Sequence, residues 1–363
     1  MGRLAAPRRF AMLLNAFDVD PGAAERTVEL QAGELFALGL RADLLVVSAW
    51  PGVYRPDEGT LVQRLEQVCG LRLGALPRQL DLTGTAIGAW VSPPLAALDP
   101  PVRWPARSAT RFLRLAVVES PAPELPPPEH PLQGPWPVFN QLFSLLAVLP
   151  LQDIHCPVVA TPLLAAGNQQ VAPERLFPAL LERCRSGFRH VPDLERLIVF
   201  DRQQAPLEDL AARIDQELGR FPAERQQLDL QAGAAVISQL QGVLSGFCRL
   251  HPSLAMAGDV EELLHLLSGG SVTAMALGMH SRRLVERLVC ERLGWRRATL
   301  YQGLQSLSRD GLDPWLISCL HQVRVFGNWM GHPSRPGQRR VVSTSDALAM
   351  LTALLRVLED YPW

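Results

Sequence analysis

Short apolar runs, separated by segments of helical spacing, fill the first 220 residues of the chain. Runs of strand length occupy residues 27–30, 42–49, 85–91, 112–119, 157–164 and 194–200. The run at 42–49, ADLLVVSA, is almost continuously apolar, which is typical of a strand covered on both faces. Helical spacing follows at 60–69 and at 139–149. This alternation predicts an α/β layer fold with a largely parallel or mixed sheet.

From residue 223 onward the pattern is helical throughout. Apolar residues recur along one side of segments 228–250, 260–267 and 281–293, as in amphipathic helices. Asp313 and Pro314 have the types expected at the N-cap and first position of a long helix. Ser343 and Asp346 fit a capping box before a final helix, which is expected to run to residue 360. This half is predicted to be an all-α bundle of about five helices.

The chain of 363 residues is long enough for two domains, each with its own core. The change in pattern places an α/β domain at residues 1–220 and an α-helical domain at residues 221–363. Residues 120–137 contain too many prolines for a helix or a strand and are predicted to form an extended loop or a lid.

Charge and cysteine content narrow the classes of function. The 35 basic and 36 acidic side chains give a net charge of -1, so no overall charge points to nucleic acid or to a membrane surface. The six cysteines are scattered and form no CxxC pair, which favours buried free thiols over a zinc site or disulfides. No apolar stretch reaches the length of a membrane span. A cytoplasmic protein without a metal site is expected.

The stretch from Cys156 to Phe177 combines an apolar strand, a loop of small and amide residues, and a helix start at Pro173. Backbone N–H groups in such a loop can reach a phosphate, and the dipole of the following helix favours negative charge. An ordinary strand-to-helix connection is the alternative, because α/β folds contain many such turns.

The order of these features over residues 27–218 resembles a macro domain. Gly33-Glu34-Leu35 stands where that family has Gly-Asp-Ile, and residues 43–50 stand where it has Asp-Ala-Ile-Val-Asn-Ala-Ala-Asn. Residues 84–93 are similar to its Thr-Pro-Gly strand, and residues 162–167 to its phosphate loop. The resemblance implies a three-layer α/β/α fold with a mixed sheet. It also implies an ADP-ribose-like nucleotide as ligand, with no cofactor required.

The resemblance further implies a set of ligand-binding residues. They are Glu34, Ser48, Ala49, Trp50, Gly52, Ala165, Ala166, Gly167, Asn168 and Gln169. In this set Glu34 accepts a hydrogen bond from an adenine amine, Trp50 stacks on a ring, and the backbone around Gly167 holds a diphosphate. The alternatives are a solvated loop carboxylate for Glu34 and a core aromatic for Trp50.

Hydrolysis of ADP-ribose linkages is not predicted. Family members with that activity present an asparagine after the second strand, followed by a run of glycines. Here Ser48, Trp50 and a single glycine, Gly52, stand in that region, so nothing evident positions a water nucleophile.

The predicted helix that starts at Pro314 carries a polar stripe. At 100° per residue, His321, Arg324, Asn328 and His332 fall within an arc of about 80°. Gly327 and Gly331 lie beside this stripe and lower helix propensity, which indicates that another backbone or a ligand comes close.

Residues 324–332, RVFGNWMGH, together with the earlier segment from Ser281 to Glu286, resemble the HEPN-like helical families over residues 275–360. The resemblance implies that Arg324, Asn328 and His332 act on the scissile phosphate of RNA, usually across a dimer. Seven residues lie between Arg324 and His332, a longer interval than in the family's ribonucleases. The alternative is structural: Arg324 pairs with Glu286, and His332 caps the end of its helix.

Three functions follow from these patterns. The favoured one is a prokaryotic sensor-effector of the antiviral defence type. In it the macro-like domain binds an ADP-ribose-like or NAD-derived signal, and the HEPN-like domain cleaves RNA or assembles as a homodimer or higher oligomer through its helices. The second is a non-catalytic scaffold that binds a nucleotide or a protein. An ADP-ribosyl hydrolase is the least favoured. Replacing Arg324 or His332 separates the first two, because only an effector would lose activity and keep its fold.

Overall fold

The structure, a computed structural model, describes most of the chain: residues 12–19, 26–106, 108–119, 136–164, 173–220, 227–252, 254, 256–268, 272–295, 299–331 and 342–363. It divides into two compact units. The first comprises residues 26–210, and the second combines residues 13–19 with residues 211–363. Three predicted features lie outside the described residues: most of the proline-rich loop, the phosphate-loop residues 165–169, and His332.

The first unit is built on a mixed sheet. Its strands are β2 (Thr27–Ala32), β3 (Arg41–Ala49), β4 (Leu80–Asp81), β5 (Ala89–Val91), β6 (Arg111–Glu119), β7 (Val158–Pro162) and β8 (Arg196–Asp201). They lie in the order β2-β8-β7-β3-β6-β5-β4. From β2 to β6 neighbouring strands are parallel, whereas β5 and β4 are added antiparallel. The mixed sheet predicted from the sequence is confirmed.

Helices cover both faces of this sheet. They are α1 (Leu61–Cys69), α2 (Trp136–Val148), α3 (Pro173–His190) and α4 (Gln204–Glu217), whose second half belongs to the second unit. Crossovers between parallel strands are right-handed. Because the crossovers that contain α1 and α3 run in opposite directions along the sheet, these two helices lie on opposite faces.

The burial along β3 agrees with this layering. Leu45 and Val47 pack with Leu65 of α1, and the alternate residues Leu44 and Val46 are completely buried on the other face, since successive side chains of a strand point to opposite sides. The predicted α/β/α layers are confirmed.

The predicted strand at 85–91 is wrong in its first half. Residues 83–87 form turns, and β5 begins only at Ala89. Thr85 causes the break. Its hydroxyl oxygen accepts a hydrogen bond from Ile87 N, and its carbonyl oxygen accepts one from Gly88 N, both at 3.1 Å. Gly88 then takes a positive φ of 57°, a conformation that glycine adopts readily.

The second unit is a helical bundle, as predicted. Its helices are α5 (Ala234–Leu250), α6 (Ala257–Ser268), α7 (Ala274–Leu293), α8 (Leu300–Arg309), α9 (Pro314–Gly331) and α10 (Thr344–Glu359). The predicted N-caps are confirmed. Asp313 Oδ1 accepts from Trp315 N at 2.7 Å, and Ser343 forms a capping box with Asp346.

Three features of this unit were not predicted. Helix α8 is capped by Thr299 and Gln302, a capping box that the sequence does contain. The short strands β9 (Gln227–Leu228) and β10 (Val272–Thr273) pair antiparallel, so the predicted helix at 228–250 begins only at Ala234. The strand β1 (Met12–Asp18) contributes its residues from Leu13 onward to this unit.

Candidate functional site

The carboxyl ends of the parallel strands meet at one edge of the first unit's sheet. From β3 the chain crosses to β6 in one direction along the sheet. From β7 it crosses to β8 in the opposite direction. The strands β3 and β7 are themselves neighbours, with Leu44 beside Val159 and Leu45 beside Ala160. In open α/β sheets such a reversal leaves a crevice outside the carboxyl ends of the two strands, and ligands bind there. The edge between β3 and β7 is therefore the candidate ligand site.

Both loops predicted from the sequence leave the sheet at this crevice. Strand β3 ends at Ala49 and β7 ends at Pro162. Continued by the same register, Ala49 stands beside Leu164, the residue before the predicted phosphate loop. The ends of β3 and β7, where the two predicted ligand-binding segments begin, therefore lie at the same edge of the sheet.

The segment after β3 forms a tight turn. Val53 N donates to Trp50 O at 2.9 Å, and Gly52 between them has a left-handed φ of 65°. Ser48, Ala49 and Trp50 are half-buried, so Trp50 is not a fully enclosed core aromatic. Each of these residues stays a predicted ligand contact.

Glu34 follows the end of β2 and has partners of its own. One carboxylate oxygen accepts from Phe36 N at 3.1 Å, which caps the short turn at Leu35–Ala37, and the other accepts from Arg64 Nε on α1 at 2.9 Å. Both oxygens are engaged within the chain. An adenine amine would have to share or displace one of these bonds to reach Glu34.

Tyr54, which the sequence analysis did not single out, connects the turn after β3 to the end of β6. Its hydroxyl donates to Glu119 and accepts from Arg78 Nη2 at 3.1 Å and from Trp90 Nε1 at 3.2 Å. A phenol has one proton and two lone pairs, so these three bonds saturate it. Burial, and then the bond to Glu119, raise the pKa of Tyr54. Tyr54 therefore holds the turn in place, and its sequence position carries no motif that reveals this role.

Arg78 completes this cluster from the segment before β4. Its guanidinium lies 5.1 Å from the ring centre of Trp90 and 5.6 Å from that of Tyr54, as in cation–π contacts. Arg78 Nη1 also donates to Asp81 at 2.7 Å. Hydrogen bonds from Thr83, and then the one from Arg78, lower the pKa of Asp81 to about 2. The hairpin of β4 and β5 is thus fixed against the turn after β3.

A cleft of about 790 Å³ borders the same turn. Apolar side chains that include Val53, Val62 and Leu73 line it, together with Arg55 and Arg72. Small-molecule sites have this size and this mixture of apolar walls with a few polar groups. The cleft offers an apolar surface, Arg55 and the ion pair of Arg72 with Glu66 at 2.9 Å, next to the predicted ligand residue Gly52, which also lines it.

Three of the four residues of the polar stripe predicted on α9, His321, Arg324 and Asn328, lie together in the second unit. Arg324 Nε donates to His321 Nδ1 at 3.2 Å. With its amide oriented to satisfy both groups, Asn328 accepts from Arg324 Nη1 and donates to Arg324 O, each at 3.1 Å. The ring of Tyr301 on α8, centred 5.4 Å from the Arg324 guanidinium, lies on the same side. The catalytic roles of Arg324, Asn328 and His332 stay predictions.

The surroundings of His321 disfavour its charged form. Burial, and then the positive charge of Arg324, lower its pKa. Because Nδ1 accepts a hydrogen bond, the neutral ring carries its proton on Nε2. In its neutral form His321 is therefore a hydrogen-bond donor at Nε2, on a surface that also exposes Tyr301.

The two glycines of α9 face the helix α7. A Cβ at Gly327 would lie 2.5 Å from Arg282 Cβ and 3.0 Å from Gly278 O, and a Cβ at Gly331 would lie 2.7 Å from an Asp18 carboxylate oxygen. The close approach predicted for Gly327 and Gly331 is confirmed, and in the described structure another part of the chain makes it.

Arg282 is a buried arginine on α7, a helix whose sequence predicts only an apolar side. It is buried and bonds Asp18 at 3.1 Å and Glu286 at 2.8 Å. Glu286, the alternative partner considered for Arg324, thus accepts from Arg282 Nε. Arg282 fills the space between β1 and the glycines of α9.

Within the described residues, no group of three or more His, Cys, Asp or Glu side chains is placed to hold a metal ion. Among the helices of the same residues, none has the length and hydropathy of a membrane span.

Residues 266–361 match the family described as "Domain of unknown function (DUF4145)". This match covers most of the helices of the second unit. No curated protein is similar enough in sequence to match the chain.

Solved structures that are similar to this chain include macrodomains. One, from Trypanosoma brucei in complex with ADP, is 12% identical over 52% of this chain and 68% of its own, with a TM-score of 0.35. Another from Trypanosoma brucei, in complex with ADP-ribose, is 13% identical over 55% of this chain and 74% of its own, with a TM-score of 0.37. A macrodomain of Oceanobacillus iheyensis with MES bound is 11% identical over 57% of this chain and 97% of its own, with a TM-score of 0.38.

Proposed function

We propose that the first unit binds an ADP-ribose-like nucleotide at the crevice between β3 and β7. The observation that carries the proposal is the reversal of chain direction at this pair of strands, from which both predicted ligand segments leave the sheet. A ligand at this position meets the turn after β3 on one side and the start of the loop after β7 on the other. In this proposal the diphosphate of the ligand lies at that loop. The ring of Trp50 lies beside the diphosphate.

The surroundings of the turn support this assignment. Tyr54 and Glu119 fix the turn without any help from a ligand, so little conformational entropy is lost when a ligand binds. The adjacent cleft has apolar walls, Arg55 and the ion pair of Arg72 with Glu66, which suits a molecule that has both an apolar ring and polar groups.

We further propose that the second unit is the effector of a defence-type sensor. The exposed side of α9 presents Arg324, Asn328 and His321 beside the half-exposed ring of Tyr301. A guanidinium and a neutral imidazole donor are groups that contact and stabilise a phosphodiester. RNA cleavage or ligand-dependent assembly is the response that we assign to this unit.

Calorimetric titration of the full chain with ADP-ribose, ADP and NAD tests nucleotide binding. We expect saturable binding of at least one of them, and a loss of about tenfold or more in Trp50→Ala, which corresponds to about 1.4 kcal/mol. Trp315→Ala is the matched control, because Trp315 is an exposed tryptophan of the second unit. Absence of binding to the wild-type chain, or equal affinities for wild type and Trp50→Ala, contradicts the proposal.

The effector role is tested separately with a labelled single-stranded RNA, in the presence and absence of the nucleotide that binds. We expect nucleotide-dependent cleavage, or a nucleotide-dependent change in oligomeric state by light scattering. Arg324→Gln is expected to abolish the response without lowering the melting temperature by more than a few degrees. A wild-type chain that binds nucleotide without any response, or an Arg324→Gln variant whose main change is in stability or oligomeric state, would favour the scaffold function.

A further inference from the structure

The floor of the cleft beside the turn after β3 belongs to the apolar core under α1. Leu71 and Leu73 line the cleft, are 3% and 1% exposed, and belong to the same core cluster as Leu65. Val62 of α1 and Tyr54 of the turn also line the cleft and are partly buried against that cluster. Because a close-packed core keeps its shape without a ligand, the cleft has a preformed apolar floor.

Gly74 leaves the ring of Tyr54 open to the cleft. A Cβ at Gly74 would lie 3.7 Å from Tyr54 Cδ2, so a large side chain at this position would occupy the space beside that ring. The backbone does not require a glycine here, since Gly74 is not among the glycines with a positive φ. The Tyr54 hydroxyl is saturated by its three partners, so Tyr54 offers a ligand its ring alone.

The charged groups that line the cleft are not equivalent. Arg72 Nε donates to Glu66 at 2.9 Å, and the charges of this pair offset each other. Arg55 is exposed, and its side chain has no hydrogen-bond or ion-pair partner among the described residues. Two positive groups and one negative group line the cleft, which gives it a net charge of +1. One guanidinium is therefore available to an anion.

We infer that this cleft binds an apolar group that bears a single negative charge. The apolar part lies on the leucine floor and the Tyr54 ring, and the acid contacts Arg55, whose planar guanidinium matches a carboxylate. The volume of about 790 Å³ is that of a small-molecule site. The inference goes beyond the proposed nucleotide binding and does not depend on it, because every residue that carries it lines the cleft. A free aromatic carboxylate and an acidic apolar substituent of a nucleotide present this same chemistry.

Equilibrium dialysis of the full chain with cinnamate and with cinnamyl alcohol, at neutral pH, tests the inference. The two probes share a phenyl ring and a short chain, and they differ in that the first ends in a carboxylate and the second in a hydroxyl. We expect saturable binding of cinnamate, about 3- to 10-fold tighter than that of the alcohol. Arg55→Gln is expected to remove this difference. Arg249→Gln, which replaces an exposed arginine of α5, is the control and should keep it.

Gly74→Phe tests the apolar part of the site. The phenyl ring fills the space beside Tyr54, so we expect both probes to bind at least about tenfold more weakly, since the apolar contact is lost. Gly242→Phe is the control, because nothing lies within 4 Å of an added Cβ at this position of α5. It should leave both affinities unchanged.

Three results would overturn the inference: no binding of cinnamate, equal affinities of the wild type for the two probes, or unchanged affinities in Gly74→Phe. The comparison of wild type with Arg55→Gln decides the matter even if Gly74→Phe does not fold. Cinnamate is titrated without a nucleotide, so its failure to bind leaves the proposed function standing, and failure of nucleotide binding leaves this inference standing. Dialysis at saturating ADP-ribose identifies the source of the ligand, since retained binding indicates a free carboxylate and competition indicates a substituent of the nucleotide.

Discussion

Tyr54 donates its hydroxyl proton to Glu119, and this bond ties the turn after β3 to the last residue of β6. The two strands are parallel neighbours whose ends stand side by side, with Ala49 beside Glu119. A rigid connection at this point fixes one wall of the crevice before any ligand arrives. Such preorganisation is the property expected of a site that binds a small molecule tightly.

Tyr54→Phe tests the contribution of this hydroxyl to the stability of the first unit. The substitution removes the hydroxyl group that bonds to Glu119, Trp90 and Arg78. The largely buried Glu119 carboxylate then loses the hydrogen bond that it accepts from this hydroxyl. We expect the free energy of unfolding to fall by about 1–3 kcal/mol, measured by urea denaturation. Tyr301→Phe, on a half-exposed ring, is the control and should change it by less than about 0.5 kcal/mol. Equal effects of the two substitutions would refute the role given to Tyr54.

Gly327→Ala and Gly242→Ala test the close packing of α7 and α9. Alanine normally favours a helix over glycine by about 1 kcal/mol. At Gly242 on α5 nothing lies within 4 Å of the added Cβ, so we expect Gly242→Ala to stabilise the second unit. At Gly327 the Cβ would overlap Arg282 and the backbone of Gly278, so we expect a loss of about 1–3 kcal/mol. Thermal denaturation measures both, and a stabilising Gly327→Ala would contradict the packing described.

Arg282→Met tests the buried ion pair with Asp18. The side chains of Arg282 and Asp18 are 2% and 0% exposed, so the substitution removes a buried cation from a buried carboxylate. We expect a loss of about 3–5 kcal/mol, measured by chemical denaturation. Arg356→Met breaks the more exposed pair with Asp360 and should cost less than about 1 kcal/mol. The double variant Arg282→Met with Asp18→Leu is expected to regain part of the loss, since it removes the stranded charge.

His321 is expected to titrate below the ordinary histidine pKa, because burial and then Arg324 disfavour its charged form. The folded state therefore prefers the neutral ring. This contribution to stability is present above the pKa of the unfolded chain and is lost as the pH falls through the lower pKa of the folded chain. In Arg324→Gln the midpoint should rise but stay below the ordinary value, since the burial remains. NMR titration of the imidazole measures the midpoint in the wild type and in Arg324→Gln. An unchanged midpoint in Arg324→Gln would exclude an effect of the Arg324 charge on the pKa of His321.

The sequence predicted those parts of the molecule whose signals are local. The strands of the parallel sheet are buried on both faces, so β3 is a continuous apolar run that is visible in the chain. Asp313 and Ser343 mark helix starts because a cap acts within one turn.

The errors concern residues whose role depends on distant partners. Arg282 looks like a surface arginine until Asp18, 264 positions away, is placed beside it. Tyr54 becomes the centre of a cluster only when Arg78, Trp90 and Glu119 converge on its hydroxyl, and no spacing in the sequence reveals that. The boundary of β5 depended on one turn at Thr85, where a side chain competed with the strand for backbone hydrogen bonds.

Asp18 and the rest of residues 13–19 are synthesised near the start of the chain, yet they belong to the unit completed by residues 211–363. The second unit is therefore discontinuous in the chain, and its early strand supplies a buried carboxylate to an arginine 264 positions later. A fragment that begins after residue 210 would carry Arg282 without Asp18. Such a fragment would need residues 13–19 to regain this buried ion pair.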